Sequence, residues 1–221
     1  MIIGIDKGHA IVGSRGASGL LDEVNENRKI GNRLIEMLRE KGHTVVDCSV
    51  DESPAMKPQL NGIVQKANTQ KLDLFVSIHL NAGGGHGTES YIYNGSYAGK
   101  EANRTVAKRI NDSVVASCNF RNRGVKEENF HVLRETVAPA VLIEVCFVDS
   151  AEDKQKLNTE AVARAIFKGI TGVEYVAQAH TSQAGVKYRV VCGTYADKSN
   201  AVKQQEALKK AGFDSFLVAI N

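Results

Sequence analysis

The sequence predicts an α/β fold: a mainly parallel (mixed) central sheet flanked by helices, followed by a small C-terminal β-α-β domain. Three observations predict it. Segments 72–80 and 139–148 are too continuously apolar for half-exposed strands and suit central, doubly covered ones. Between such segments apolar residues recur at helical spacing, as at Val24, Ile30, Leu34, Ile35 and Leu38. A small polar stretch then separates a shorter strand–helix–strand pattern at the end of the chain.

The elements follow in order. Met1 to Asp6 reads as a first buried strand rather than a signal peptide, being short, without a basic leader, and running into Lys7-Gly8-His9. The expectation is a protein made and held in a cytoplasm that reaches any external substrate by another route. A Gly/Ser-rich loop covers 8–19, and a helix from about Glu23 stops at Gly42. A short strand at 43–48, a helix over 58–70 and the central strand 72–80 come next. Segment 87–93 alternates after a run of three glycines and reads as an adjacent strand. Residues 99–115 form a helix, 139–148 a buried strand and 151–170 another helix. This first domain spans 1–176, with a small polar linker at 177–185. The remaining 186–221 reads strand, helix, strand, and is too short to hold a core alone, so it must pack on something.

Composition narrows the function. With 43% apolar and 24% charged residues the chain is an ordinary globular protein, and no apolar run is long enough to insert in a membrane. Cys48, Cys118, Cys146 and Cys192 are far apart, with no C-x-x-C pair, and read as buried free thiols rather than disulfides or a Cys-based zinc site. The net charge of +3 lies in the tail, where six Lys/Arg stand against three Asp/Glu from Ala177 onward. That is no nucleic-acid footprint, though a basic tail can help adsorption to anionic polymers; a small charge is also simply a solvated surface.

Three polar residues stand where buried strands end: His9, His79 and Glu144. Burying such groups without partners costs several kcal/mol, and strand ends are where open α/β sheets bind ligands. Two histidines and a carboxylate, with a fourth position left open, form a known catalytic zinc arrangement. Simpler readings exist. A histidine at a strand end is more often a hydrogen-bonded structural residue than a ligand, and Glu144 can pair with Arg134 or Lys7. A glycosidase using Glu89 and Glu144 would need no metal. His43, His86, His131 and His180 lie in turns or polar stretches and read as surface residues.

The run Ile3-Gly-Ile-Asp-Lys-Gly-His9, a carboxylate opening the first helix, Ser77-Ile-His-Leu-Asn-Ala82, and Val132-Leu-Arg134 leading to Pro139-Ala-Val-Leu-Ile-Glu144 resemble the zinc N-acetylmuramoyl-L-alanine amidases. That family includes many phage endolysins and bacterial autolysins. The resemblance covers about 1–172. It implies Zn2+ held by His9, Glu23 and His79, with Glu26 the alternative one turn on. It implies Glu144 as the catalytic acid/base, with Asn81 and Arg134 near the substrate. Asn81 can equally be a strand-end cap. The implied substrate is bacterial peptidoglycan, cut between N-acetylmuramic acid and L-alanine. Lys7 and Ala10-Ile11 replace the family's common Pro and Gly-Gly, and Cys146 a common Gly. Metal binding by neutral imidazoles is expected to weaken below about pH 6.

Tyr188-Arg-Val-Val-Cys-Gly-Thr-Tyr195, an Ala/Lys-rich helix and Gly212-Phe213 resemble half of a SPOR peptidoglycan-binding repeat. This implies a wall-targeting tail, or one that only braces the catalytic domain. A half-module invites a homodimer through the C-terminal domain. The arrangement fits a phage or prophage endolysin, with a sporulation amidase, an autolysin or a non-catalytic wall-binding protein as alternatives.

Overall fold

A computed structural model describes residues 1–177, 191–213 and 215–219. The chain divides into two compact units, Met1–Gln178 and Ala179–Asn221. In the first, a six-stranded sheet has the order β3-β1-β5-β8-β6-β7. Here β1 is Ile2–Asp6, β3 Thr44–Asp47, β5 Leu74–Asn81, β6 Thr88–Tyr93, β7 Asn122–Glu128 and β8 Ala140–Phe147. All neighbours pair in parallel except β6 and β8.

Alternation along each strand sorts its residues to the two faces. Leu74, Val76, Ile78 and Leu80 of β5 join Val141, Ile143 and Val145 of β8 in the larger core. That core is closed by α1 (Glu23–Glu40), α3 (Lys100–Cys118) and α6 (Thr159–Thr171). Phe75, Ala140 and Leu142 enter the smaller core on the other face, under α2 (Met56–Ala67) and α4 (His131–Glu135). Asp6, Ser77, His79 and Glu144 have the parity of this second face, so the polar strand-end residues gather beneath α2 and α4.

The first helix begins where its capping chemistry places it. Asp22 accepts a hydrogen bond from the Asn25 backbone N–H at 2.9 Å, and Glu23 and Glu26 stand at the positive end of the helix dipole. Its apolar stripe runs Val24, Ile30, Leu34, Ile35 and Leu38, all buried.

Four features differ from the sequence reading. Segment 87–93 is not beside 72–80: β8 inserts between them, parallel to β5 and antiparallel to β6. The helix expected over 151–170 breaks into α5 (Ala151–Lys156) and α6, because Asn158 caps α6 by accepting from the Ala161 N–H at 3.0 Å. The loop 8–19 contains β2 (Val12–Gly13), paired with β4 (Glu52–Ser53). Segment 119–138, where the sequence signals no element, holds β7 and α4. The strand β7 is a polar edge strand with Val125 as its one apolar residue, and α4 has five residues, too few to show a period.

In the second unit α7 (Lys198–Lys210) forms where a helix is expected, capped by Asp197, which accepts from the Ser199 N–H at 2.7 Å. Residues 191–193 and 215–219 of the expected strands are not in strand conformation. Neither segment has a strand partner among the described residues, and the Ser215 carbonyl instead accepts from Gln205 Nε2 of α7 at 2.8 Å. Cys192, expected to be buried, is accordingly exposed, whereas Cys48, Cys118 and Cys146 are buried. Most of the linker (178–185), the first expected strand up to 190, His180, Asp214 and 220–221 lie outside the described residues. Among the described residues no helix is long and apolar enough to cross a membrane.

Candidate metal centre

Beyond β1 the backbone takes an uncommon path. Gly8 has φ +30° and His9 φ +61°, a left-handed conformation shared among the described non-glycine residues only with Asn119. A Cβ on Gly8 would stand 2.6 Å from the Ile78 carbonyl and 2.8 Å from Asn27 Nδ2, so only glycine fits there. The turn is pinned by Arg28, whose guanidinium donates to the carbonyls of Lys7, Gly8 and His9 and pairs with Asp51 at 2.7 Å. Strain of this kind costs of order 1–3 kcal/mol and persists where the surroundings over-determine it. Here it aims an imidazole at the end of β5.

His79 lies near the end of β5, and Glu23 is the first residue of α1. Glu23 Oε1 sits 3.3 Å from His9 Nε2 and 3.0 Å from His79 Nδ1. The carboxylate is held from behind by the Ala17 N–H at 2.7 Å and the Leu80 N–H at 3.2 Å. The two rings meet edge to face with centroids 4.9 Å apart. One donor atom from each of the three lies within 4.8 Å of the others, the one such cluster among the described residues. Two imidazole nitrogens and a carboxylate oxygen at these separations fit a zinc ion, whose ligand bonds of about 2.0–2.2 Å place donors some 3–3.5 Å apart. Glu26 lies outside the cluster and pairs with Lys29 at 2.7 Å.

Burial opposes charge on His79, but its hydrogen bond to Glu23 and the charges of Glu144, Glu23 and Asp6 prevail and raise its pKa to about 9. Burial likewise opposes charge on Glu23, and the hydrogen bonds from His79 and His9 hold it far below the carboxylate range. Asp6 is buried beside them, its Oδ2 accepting from the Ser77 hydroxyl at 2.6 Å. Burial raises its pKa.

Glu144 is the direct parallel partner of His79. Its Oε2 is buried with no hydrogen-bond partner in the protein. Neither cation considered for it arrives: Lys7 bonds Asp47 at 2.7 Å and Asn32 at 3.0 Å, and Arg134 pairs with Glu135 at 2.7 Å. Burial, partly offset by His79, pushes its pKa up to about 7. A carboxyl so placed exchanges protons near neutrality. Glu89, across the strand from Glu144, is the opposite case. It accepts from Arg123 (2.6 Å), Lys126, Tyr91 (2.7 Å) and Asn81 (2.7 Å). These bonds outweigh its burial and lower its pKa. With both oxygens so occupied, 2% exposed and absent from the cavity walls that include Glu144, Glu89 is not placed to act on a substrate as the second carboxylate of a glycosidase.

A cavity of about 230 Å3 opens over His9, His79, Asp6 and Glu144. Its far walls are Met56, Gln59, Leu60 and Ile63 of α2, Leu142 of β8, and Phe130, His131 and Val132. Two expected substrate residues are not among its walls. The side chain of Asn81 is committed to Glu89, and Arg134 lines a separate cavity of about 180 Å3 with Tyr93 and Tyr97. His131, expected at the surface, lines the main cavity instead, as does Gln59. Gln59 had a readable signal, since it shares the helical face of Met56, Leu60 and Ile63; His131 had none. Gly16 was equally silent. A Cβ there would fall 2.2 Å from Glu23 Oε2 and 2.5 Å from His9 Cδ2.

Residues 3–173 match the family model described as N-acetylmuramoyl-L-alanine amidase. The chain belongs to that amidase family. Its reaction is hydrolysis of the amide joining N-acetylmuramic acid to L-alanine in peptidoglycan. The amidase is 32% identical to N-acetylmuramoyl-L-alanine amidase CwlM of Bacillus licheniformis over 217 residues, covering 97% of this chain and 83% of that protein. It is 36% identical to the sporulation-specific N-acetylmuramoyl-L-alanine amidase of Bacillus subtilis over 160 residues, covering 72% and 62% respectively. Among solved structures it resembles the catalytic domain of the CD27L endolysin targeting Clostridia difficile, with a TM-score of 0.69 at 28% identity, covering 79% of this chain and 98% of that one. Residues 156–219 match the SPOR domain. That match starts well before the tail resemblance at Tyr188. Its overlap with the amidase match includes α6, which structurally belongs to the catalytic unit, burying Val162, Ile166, Phe167 and Ile170 in the main core. Enzymes of this amidase family are generally zinc-dependent.

Proposed function

We propose that the amidase runs on zinc held by His9 Nε2, His79 Nδ1 and Glu23, with Glu144 as its general base and acid. The convergence of both imidazoles on Glu23 Oε1, at 3.3 and 3.0 Å, carries this reading. Zinc in such a site supplies Lewis acidity, activating water and polarising the scissile carbonyl. The protein's own groups do the rest. Glu144, with an unpartnered oxygen and a pKa of about 7, takes the proton of the attacking water. It then returns that proton to the departing amine nitrogen of L-alanine, a role worth typically 10²–10⁴ in rate. Glu23 and the strained turn at Gly8-His9 hold the ligands in place, and the apolar walls of the cavity keep bulk water away.

The test is digestion of purified peptidoglycan by metal-loaded and EDTA-treated protein, with mass spectrometry of the fragments. Free stem peptides with an L-alanine amino terminus, formed only with metal, are expected. Glu144→Gln should lose at least a hundredfold in kcat while binding one zinc per chain. Retained activity removes Glu144 from the mechanism; metal-independent cleavage removes the zinc.

We further propose that the tail holds the enzyme on the wall and pairs with a second copy. The SPOR match supports the first role. For the second, α7 buries none of its residues, while Val191, Phe213, Leu217 and Val218 are exposed.

A further inference from the structure

We infer that Arg28 and Asp51 are positioning residues that hold the metal turn formed from both flanks of His9, independently of metal, and so set how tightly the site keeps zinc. The inference rests on the zinc reading proposed above and concerns how that site comes to be shaped.

The near flank is held through carbonyls. Arg28 Nη1 donates to the carbonyls of Lys7 and, at 3.0 Å, Gly8, and Nη2 donates to that of His9 at 2.7 Å. Three successive carbonyls aimed at one place repel one another unless a cation stands among them. A guanidinium spreads its donors over a planar fork and reaches all three, where an ammonium has one nitrogen. The Arg28 side chain is only 11% exposed, so its charge needs a partner, and Asp51 supplies it. Asp51 Oδ1 accepts from Nε at 3.0 Å and from Nη2 at 2.7 Å.

The far flank is held by the same residue through its backbone. The Asp51 carbonyl accepts from the N–H of Ile11 at 2.8 Å and of Val12 at 3.0 Å, and the Ser53 carbonyl accepts from Ser14 at 2.8 Å. Gly13 permits this approach: its φ is +92°, and a Cβ there would fall 1.9 Å from the Ser53 oxygen. Before the turn, the Lys7 N–H donates to Ser49 Oγ at 2.9 Å. One short segment, 49–53, thus grips the chain on either side of His9.

None of these bonds uses an atom of the proposed ligand set, so they stand whether or not metal is bound. They also tie ligand to ligand. Arg28 lies on α1 with Glu23, about 7.5 Å further along the helix axis, so one rigid element fixes His9 against Glu23. A ligand already held in its bound conformation gives up little freedom when the metal arrives, and affinity gains by that amount. Asp51, 58% exposed, thereby acts on the metal through a single guanidinium.

The experiment titrates zinc into the EDTA-treated, dialysed full chain against a competing chromophoric chelator, and follows amide exchange with and without zinc. Asp51→Ala, Arg28→Met and Arg28→Lys are compared with wild type, well below the lowest metal-free thermal midpoint among them. Asp51→Ala, at an exposed position, should keep the wild-type midpoint within a few degrees yet weaken zinc binding by about tenfold. Arg28→Met should weaken it by about 100-fold, the upper end for lost support of a metal ligand. Arg28→Lys should recover little of that loss, because one ammonium cannot span three carbonyls and a carboxylate. The Ile11 and Val12 amides should exchange slowly in wild type with or without zinc, and in Arg28→Met only with it. Unchanged zinc affinity in Asp51→Ala and Arg28→Met, even with lowered midpoints, would make the pair merely structural and overturn the inference. Free exchange of those two amides in metal-free wild type would overturn it as well. A folded wild type that binds no zinc overturns the zinc reading itself, and the inference with it.

Discussion

His79 ties the metal cluster to pH, because the same atom that would bind zinc faces the Glu23 carboxylate at 3.0 Å. Its pKa of about 9 means that metal and proton compete from alkaline pH downward, well above the onset near 6 expected for an ordinary imidazole. Zinc affinity should therefore fall by up to tenfold per pH unit below about 9, with about one proton released per zinc bound at pH 7–8. Calorimetric titration in buffers of different ionisation enthalpy measures both. Affinity independent of pH between 7 and 9 would show that Glu23 does not hold the His79 proton. The linkage runs the other way in EDTA-treated protein. A histidine whose folded pKa is raised stabilises fully below its unfolded value of about 6.5, and that stability is lost as pH rises through about 9. Gly16 bears on the same cluster through space alone. Gly16→Ala should push Glu23 and His9 apart and weaken zinc binding by about 10–100-fold, the range seen when ligand support is removed. Equilibrium dialysis reads the loss, and unchanged affinity would mean that the loop yields.

Helix α6 shows how tightly the elements that carry these residues are packed. A Cβ on Gly169 would stand 2.5 Å from the Cα of Ile110 in α3, a backbone atom that cannot swing aside. Alanine normally improves a helix interior by about 1 kcal/mol over glycine. Gly169→Ala should instead destabilise by about 1–3 kcal/mol through overpacking, lowering the thermal midpoint by several degrees. A raised midpoint would show that the α3–α6 contact is loose. Such contacts between elements also mark where the sequence stops being readable. Segments 72–80 and 139–148 announce themselves because strands covered on both faces need continuous apolar runs. That they are neighbours, with 87–93 beyond, depends on pairing across about 60 residues and leaves no local trace. The edge strand β7 is polar because one side of it meets water. At the site, His9, His79 and Glu144 are legible as polar residues ending apolar strands, whereas Glu23 looks like any first-turn carboxylate and is set apart by resemblance alone. Arg134 and Asn81 are legible as motif residues but not in their contacts, since Glu135, Asn129, His131 and Glu89 reach them only in the folded chain.

The whole molecule joins a catalytic unit ending at Gln178 to a tail unit that brings the chain's net positive charge. The first unit holds every residue of the proposed chemistry and both core clusters, so catalysis on a small substrate needs nothing from the second. A solid wall makes a different demand. An enzyme that leaves the surface after each cut must find it again, whereas one tethered by a second site cuts at a high effective concentration. Truncation after Gln178 should therefore leave kcat/KM on a soluble muropeptide within about twofold of the full chain. The same truncation should cut the fraction pelleting with purified sacculi, and the rate on them, by at least tenfold. The tail's role in pairing is read from the same two proteins by sedimentation at micromolar concentration. The full chain should run at twice its monomer mass and the truncated chain at once its own. Should the truncated chain bind sacculi as well as the full one, wall affinity lies in the catalytic groove. A monomeric full chain would leave the exposed apolar side chains of the tail for the wall polymer alone.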